Sequence, residues 1–164
     1  METLLDDLLA YSRAGRQRHP AEQVDTAQLI HNVADIITLP SGFAINIVGT
    51  LPVLRVERPP LETVFRNLIG NAVKHHQHPA EGTVEISACD LGDFVEFTVK
   101  DNGPGIAQMI KEKLFQPFSK AASDGGAGLG LAIARELARG MGGDLELARS
   151  DSSGSSFALT LRAG

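Results

Sequence analysis

The residues best equipped for chemistry fall into three groups. The first is Asp101-Asn102-Gly103-Pro104-Gly105-Ile106, a carboxylate at the end of a strand-like segment (Phe94 to Val99) followed by a glycine-rich loop. The second is Gly125-Gly126-Ala127-Gly128-Leu129-Gly130-Leu131, a glycine run that opens into a helical pattern with Leu129, Ile133 and Leu137 on one face. Glycines permit positive φ and let a ligand approach the main chain. A glycine run opening a helix also offers unpaired N–H groups and a positive dipole end, which suits phosphate. The third group is Asn67, Asn71 and Lys74. At about 100° per residue they fall within an arc of roughly 60° on one helix, off the centre of its apolar stripe. Asparagine disfavours helix interiors, so two on one stripe are poor helix-surface design. The Asn71 carbonyl oxygen is a suitable hard ligand for Mg²⁺, and Lys74 can meet phosphate as a point charge. A phosphate cradle with a lone acid that accepts from an amine suggests a purine nucleotide. Taken singly, the glycine runs also fit ordinary loops, and the polar stripe also fits a solvated helix face.

Other chemistries are weaker. There is no G-x-x-x-x-G-K-[ST], and neither glycine run completes G-x-G-x-x-G after a strand. His75, His76 and His78 have no Cys or carboxylate pattern beside them, and consecutive residues point to different helix faces, which argues against zinc. His19, in a polar linker, and His31, beside apolar helix positions, are uninformative. The single cysteine, Cys89, rules out an intramolecular disulfide and reads as a buried, inert thiol in an alternating segment. A net charge of −5 argues against a nucleic-acid binder. No stretch approaches ~18 uninterrupted apolar residues, and no signal peptide is visible.

The elements that must position these groups can be read in order. The 164 residues, 43% hydrophobic and 21% charged, suit one globular domain with a real core. Residues 1–14 read as a short helix with Leu4, Leu5, Leu8 and Leu9 at helical spacing, and residues 15–21 as a polar linker. Glu22 to Asp25 suits a short strand. Thr26 is then expected to cap a helix carrying Leu29, Ile30, Val33, Ala34 and Ile37. Strands are expected at Phe43 to Val48 and Val53 to Val56. Pro59 and Pro60 open a helix running to about His76, with Leu61, Val64, Phe65, Leu68, Ile69, Ala72 and Val73 as its core face. Thr83 to Ala88 and Phe94 to Lys100 form a hairpin. A short helix near Ala107 to Leu114 interrupts the long irregular stretch 102–128, whose length points to function. A helix over 129–140 and strands at Asp144 to Ala148 and Phe157 to Leu161 close the chain. The sum is an α/β (α+β) two-layer sandwich, a mixed or antiparallel sheet with helices on one face.

In combination the motifs become specific. Asn67-Leu-Ile-Gly-Asn71-Ala-Val-Lys74, Asp101-Asn-Gly-Pro-Gly-Ile106, Phe115-Gln-Pro-Phe118 and Gly126-Ala-Gly128-Leu-Gly130-Leu occur in one order. They resemble the asparagine, first glycine, phenylalanine and second glycine boxes of the catalytic ATP-binding domain of two-component sensor histidine kinases. Gly154-Ser-Ser-Phe157 looks like the motif that closes that domain, and Leu8 to Arg13 like the end of its second dimerisation helix. The resemblance covers about residues 22–162 and implies a Bergerat-type ATP-binding fold over 22–164, after a dimerisation-helix remnant and a linker.

The resemblance also assigns roles. Asn71, assisted by Asn67, would hold Mg²⁺, and Lys74 would contact phosphate of ATP. Asp101 would accept from the adenine amine, while Gly103, Gly105 and Ile106 pack against the base. Phe115 and Phe118 would lie in or beside a mobile lid, with residues from about Gln116 to Gly126 the most mobile, and Gly126, Gly128, Leu129 and Gly130 would fold over the triphosphate. Two departures stand out. Asn67 occupies the position where gyrase-like relatives carry a water-activating glutamate, so no general base can be assigned from this helix. None of the five histidines has the context of the family's phosphoacceptor. The expectation is a cytoplasmic catalytic fragment, itself monomeric. Its acceptor would lie in the dimerisation domain of a homodimeric parent, with a response regulator downstream. A superfold-related ATPase, an anti-sigma serine kinase and a non-catalytic nucleotide-binding module are the competing readings.

Overall fold

The computed structural model describes residues 20–74, 76, 78–106, 115 and 130–162. Strand β1 (Ala21–Asp25) leads directly into helix α1 (Thr26–Ile36). β1 starts one residue inside the segment read as linker, and the leucine-bearing helix expected over 1–14 lies outside the described residues. The cap of α1 is Asp25 rather than Thr26: its extended backbone (φ −76°, ψ 105°) lets the carboxylate accept from the Gln28 N–H at 3.2 Å. Thr26 is instead the first helical residue and fully buried, and its hydroxyl donates to the Pro52 carbonyl at 2.6 Å. Either residue type suits a cap; tertiary packing chose between them.

Strands β2 (Ala44–Ile47) and β3 (Val53–Glu57) follow, and then helix α2 (Arg58–Lys74), with Pro59 and Pro60 in its first turn where missing N–H groups cost nothing. Leu61, Val64, Phe65, Leu68, Ile69 and Ala72 are all buried, as their spacing requires. Strands β4 (Thr83–Asp90) and β5 (Phe94–Asp101) form the expected hairpin. Helix α3 (Gly130–Gly140) buries Leu131, Ala132, Ile133, Ala134 and Ala138. Its buried face is therefore wider than the one drawn through Ile133 and Leu137, and the alanines let it lie close to α2. It ends with Gly142 at φ 86°, the Gly143 N–H on the Ala138 carbonyl and the Gly142 N–H on the Arg139 carbonyl, a Schellman closure. Strands β6 (Asp144–Asp151) and β7 (Gly154–Arg162) extend further toward each other than expected, leaving a two-residue turn.

β1 pairs antiparallel with β3. The main sheet is five-stranded, in the order β2-β4-β5-β7-β6, with β2 parallel to β4 and every other pair antiparallel. The register lines apolar residues into rows across one face: Ile86, Val99, Phe157 and Leu147 in one, Ala88, Phe97, Leu159 and Leu145 in the next. These rows share one core with the buried faces of α1, α2 and α3, and the Phe65 ring meets Phe97 edge-on at 5.5 Å. The mixed sheet with helices on one face is therefore as expected. The reading of Cys89 is not: the thiol is exposed. In β4 the inward positions are Val84, Ile86 and Ala88, so period 2 sends residue 89 outward.

Candidate functional site

Asp101 is placed by the alternation of β5. Val95, Phe97 and Val99 face the core, and Asp101 is the next inward position, opposite buried Val84. The carboxylate thus stands where the apolar row ends, on the helix side of the sheet. Its Oδ1 accepts from the Gly103 N–H at 2.9 Å and the Ser155 N–H at 3.3 Å. Oδ2 takes no bond among the described residues, which leaves one fixed acceptor for an incoming amine.

The loop behind Asp101 rests on the β6–β7 turn. A side chain at Gly105 (φ 82°) would collide with the Asp151 carbonyl, and one at Gly154 (φ 139°) with the Asp101 carbonyl. The Ile106 N–H donates to Ser150 Oγ at 2.6 Å, and that hydroxyl lies 3.1 Å from Ser155 Oγ. Ile106 itself packs against the core. Gly103 is buried, and a Cβ there would lie 3.2 Å from Asp101 Oδ1. The glycines of the loop are demanded by close approach, as their type suggested. The turn beneath is braced by charge. Asp151 accepts from both the hydroxyl and the N–H of Ser153 and pairs with Arg149, and these bonds hold its pKa down to about 2.

The polar stripe lies on α2 and meets the start of α3. Asn67 is tied down: its Nδ2 donates to the Gly130 carbonyl at the start of α3, at 2.9 Å. That leaves its Oδ1 for another donor or a cation. Asn71 is half-buried and Lys74 exposed, and neither makes a hydrogen bond among the described residues. The stripe spans about 10 Å of helix. It runs from Gly130, in the second glycine box, toward the Asp101 turn, which the segment after α2 reaches through a 2.8 Å bond from the His76 ring to Asn102 Oδ1. Phe115 sits edge-on to Phe157 at 6.3 Å, with the Arg135 guanidinium 4.7 Å over its ring. Arg135 and Arg139 both reach Asp144. Partial burial works to raise the Asp144 pKa, but the Leu145 N–H and the two arginines outweigh it and hold it low.

The structure thus brings Asn67, Asn71, Lys74 and Gly130 to one wall, and Asp101, Gly103, Gly105 and Ile106 to the adjoining one. Phe118, Gly126, Gly128 and Leu129, like the expected short helix at 107–114 and mobile stretch at 116–126, lie outside the described residues. His76 and Ser150 are not marked as part of this site by the sequence, and Ser155 enters only within the closing motif Gly154-Ser-Ser-Phe157, with no role attached. Ser150 carries no motif, and the sequence offers His76 only as a metal ligand or a phosphoacceptor, neither of which its surroundings support. Among the described residues no cluster of His, Cys, Asp and Glu could hold a metal. No described helix is long and apolar enough to cross a membrane.

Known proteins resemble this chain in sequence and in fold. Residues 56–164 match the family described as histidine kinase-, DNA gyrase B- and HSP90-like ATPase. The chain is 33% identical to cyanobacterial phytochrome B of Nostoc sp. over 99% of its length, 31% to the sensor protein RstB of Escherichia coli over 98%, and 35% to the sensor histidine kinase MtrB of Mycobacterium leprae over 98%. It spans only 22%, 38% and 30% of those three proteins. Among solved structures, full-length ShkA in complex with AMPPNP superposes with a TM-score of 0.82 at 28% identity, over 98% of this chain and 36% of that one. The histidine kinase AdeS of Acinetobacter baumannii shares the fold, with a TM-score of 0.76 at 22% identity over 99% of this chain and 78% of that one. The chain belongs to the histidine kinase-, DNA gyrase B- and HSP90-like ATPase family, as the catalytic ATPase domain of the sensor histidine kinase kind.

Proposed function

We propose that the domain binds Mg-ATP and transfers its γ-phosphoryl group to a histidine outside residues 1–164, within two-component signalling on the cytoplasmic side. The observation that carries this is the arrangement of two walls. One holds an acceptor with a free oxygen at the end of β5, and the other carries an amide–amide–ammonium stripe that starts at the helix opening of the second glycine box. Asp101 Oδ2 accepts from the adenine amine, and the tight glycines 103 and 105 let the base lie against the main chain. Lys74 and the N-terminal amides of α3 meet the phosphates.

The donors suit Mg²⁺. Asn71 and Asn67 each present a carboxamide oxygen with no described partner, and the absence of a described carboxylate cage fits a cation held mainly through phosphate and water. Once bound, the cation would neutralise charge on the phosphate oxygens, and the residues named here keep the nucleotide oriented. No side chain of the stripe is a base. Proton removal therefore falls to the acceptor's own surroundings, in the dimerisation domain of the same or a partner chain, and a response regulator consumes the phosphohistidine.

The test has two arms. Calorimetry with Mg-ADP and Mg-ATP should give dissociation constants between millimolar and micromolar, on the order of −4 to −8 kcal/mol. Labelled phosphate should pass to a supplied dimerisation domain. No heat and no thermal shift with either nucleotide overturns the binding site; binding without transfer to any supplied acceptor favours a non-catalytic module.

A further inference from the structure

His76 stands two residues beyond α2, and both of its ring nitrogens are engaged. Nδ1 lies 2.9 Å from the His78 backbone nitrogen, which can only donate, so Nδ1 holds a lone pair. Nε2 lies 2.8 Å from Asn102 Oδ1, which can only accept, so Nε2 carries the hydrogen. The Asn102 amide is itself fixed: Oδ1 also accepts from the Thr83 N–H at 2.8 Å, and Nδ2 donates to the Glu81 carbonyl at 3.0 Å. Turning that amide over would set a donor against Thr83 and an acceptor against Glu81. One protonation state satisfies the whole network, the neutral ring with hydrogen on Nε2.

The ring is half-buried and lies edge-on to Phe43 at 6.0 Å. Its Cδ2 closes the open side of Gly103, 3.7 Å from where a Cβ would be. Asn102 is flanked by Asp101 and Gly103, whose N–H holds the Asp101 carboxylate. The ring therefore touches the turn that aims Asp101 from the end of the helix that carries Asn71 and Lys74.

We propose that His76 is a positioning residue for purine recognition. In its neutral Nε2–H form it fixes the Asp101–Asn102–Gly103 turn to the C-terminal end of α2, and so sets the separation between the purine acceptor and the phosphate wall. The inference rests on the reading of Asp101 as the purine acceptor. Without the bond, the turn keeps its strand anchors but loses its tether to α2. Base recognition weakens, while contact with the phosphates on α2 persists.

The experiment compares the wild-type domain with His76→Phe, which keeps a ring against Phe43 but has no hydrogen bond, and His76→Gln, whose amide can donate to Asn102 again. Dissociation constants are measured calorimetrically for ADP, GDP and inorganic tripolyphosphate, each with Mg²⁺, and side-chain ¹⁵N spectra of the wild type report the histidine tautomer. His76→Phe should weaken ADP about five- to tenfold, the scale of one hydrogen bond's worth of lost pre-organisation. It should narrow the ADP-to-GDP ratio, leave tripolyphosphate unchanged and be largely rescued by Gln. Unchanged ADP affinity in His76→Phe, an equal loss for ADP and tripolyphosphate, or hydrogen on Nδ1 in the wild type overturns the inference while Asp101 keeps its role. If His76→Phe does not fold, the Gln variant and the tautomer decide. Wild-type protein that binds tripolyphosphate but discriminates no purine overturns the Asp101 reading and this inference with it.

Discussion

Substituting Asp101 with Asn separates recognition from support, because the carboxylate does both with different oxygens. Oδ1 accepts from Gly103 and Ser155, at 2.9 and 3.3 Å. Asp101→Asn retains an oxygen for those two N–H groups, and exchanging a charged acceptor for a neutral one costs the fold about 1 kcal/mol. The position of Oδ2 then becomes an NH₂ that points at the adenine amine, donor against donor. An unmade hydrogen bond at a site closed to water costs about 1–3 kcal/mol, or about five- to 150-fold in affinity. Asp101→Ala loses the same amount of affinity and also strips both N–H groups of their acceptor, so its stability should fall by about 2–3 kcal/mol. The assay is calorimetry with Mg-ADP and Mg-tripolyphosphate, beside thermal melts of both variants. Expected are a large ADP loss with unchanged tripolyphosphate in both, and a clear drop in melting temperature in the Ala variant. Wild-type ADP affinity in Asp101→Asn refutes the reasoning, and so does an equal loss of the two ligands.

Asn71→Ala should abolish phosphotransfer while moving stability by no more than about 0.5 kcal/mol, since the side chain is half-buried without a described partner; unfolding of this variant on a thermal melt would place Asn71 in the core. Gly154→Ala should destabilise the domain by about 1–3 kcal/mol or more, because φ 139° and the Asp101 carbonyl both exclude a side chain, and denaturant titration measures it. Acid should loosen the β6–β7 turn: with its pKa lowered from 3.8 to about 2, Asp151 contributes stability that is full above 3.8 and lost as pH falls from 3.8 through about 2. Hydrogen exchange at Ser153, followed down that range, should show protection falling in that window and not above it. The chain incubated alone with γ-labelled ATP should gain no acid-labile label, since both His76 nitrogens are committed and no described histidine has an acid beside it to orient the ring; stoichiometric label would locate an acceptor inside these residues.

Most of the fold was legible because strong periodicities decided it. The α2 stripe from Leu61 to Ala72 and the alternation of β4 and β5 leave one face each to bury, and burial sets their register. The misses share a physical reason. Whether Asp25 or Thr26 caps α1 depended on the Pro52 carbonyl, 26 residues away, which claims the Thr26 hydroxyl. Cys89 was placed inside by its apolar type, although parity with Val84 and Ile86 sends it out. The reach of β6 and β7 into the serine-rich turn depended on Asp151 bonding Ser153, a local choice that polar residues leave open. In the site, Asn67, Asn71, Asp101 and the glycines stood out because their types are costly without a use. His76 and Ser150 did not, and Ser155 did so only as part of the closing motif, because their value lies in partners far away in sequence.

Those partners show what the closing motif contributes. Gly154 and Ser155 lie 53 and 54 residues beyond Asp101, yet β7 pairs with β5 and delivers both to it. Gly154 is needed because the main chain of β7 presses on the Asp101 carbonyl; Ser155 gives its N–H to the carboxylate, and its hydroxyl pairs with that of Ser150, which takes the Ile106 N–H. The purine wall is therefore held by its own sheet, before any contact with a helix. The phosphate wall is held separately, by Asn67 on the first carbonyl of α3. The two walls share one core, with Phe65 of α2 on Phe97 of β5, and Arg135 and Arg139 join α3 to Asp144 of β6. At the Asp101 turn itself, the described polar link to the end of α2 is the pair His76–Asn102. Different polar groups serve the base and phosphate subsites, so a substitution at one can weaken it separately. The His76 and Asp101 variants should thus leave tripolyphosphate binding intact, and Asn71→Ala should leave purine discrimination intact.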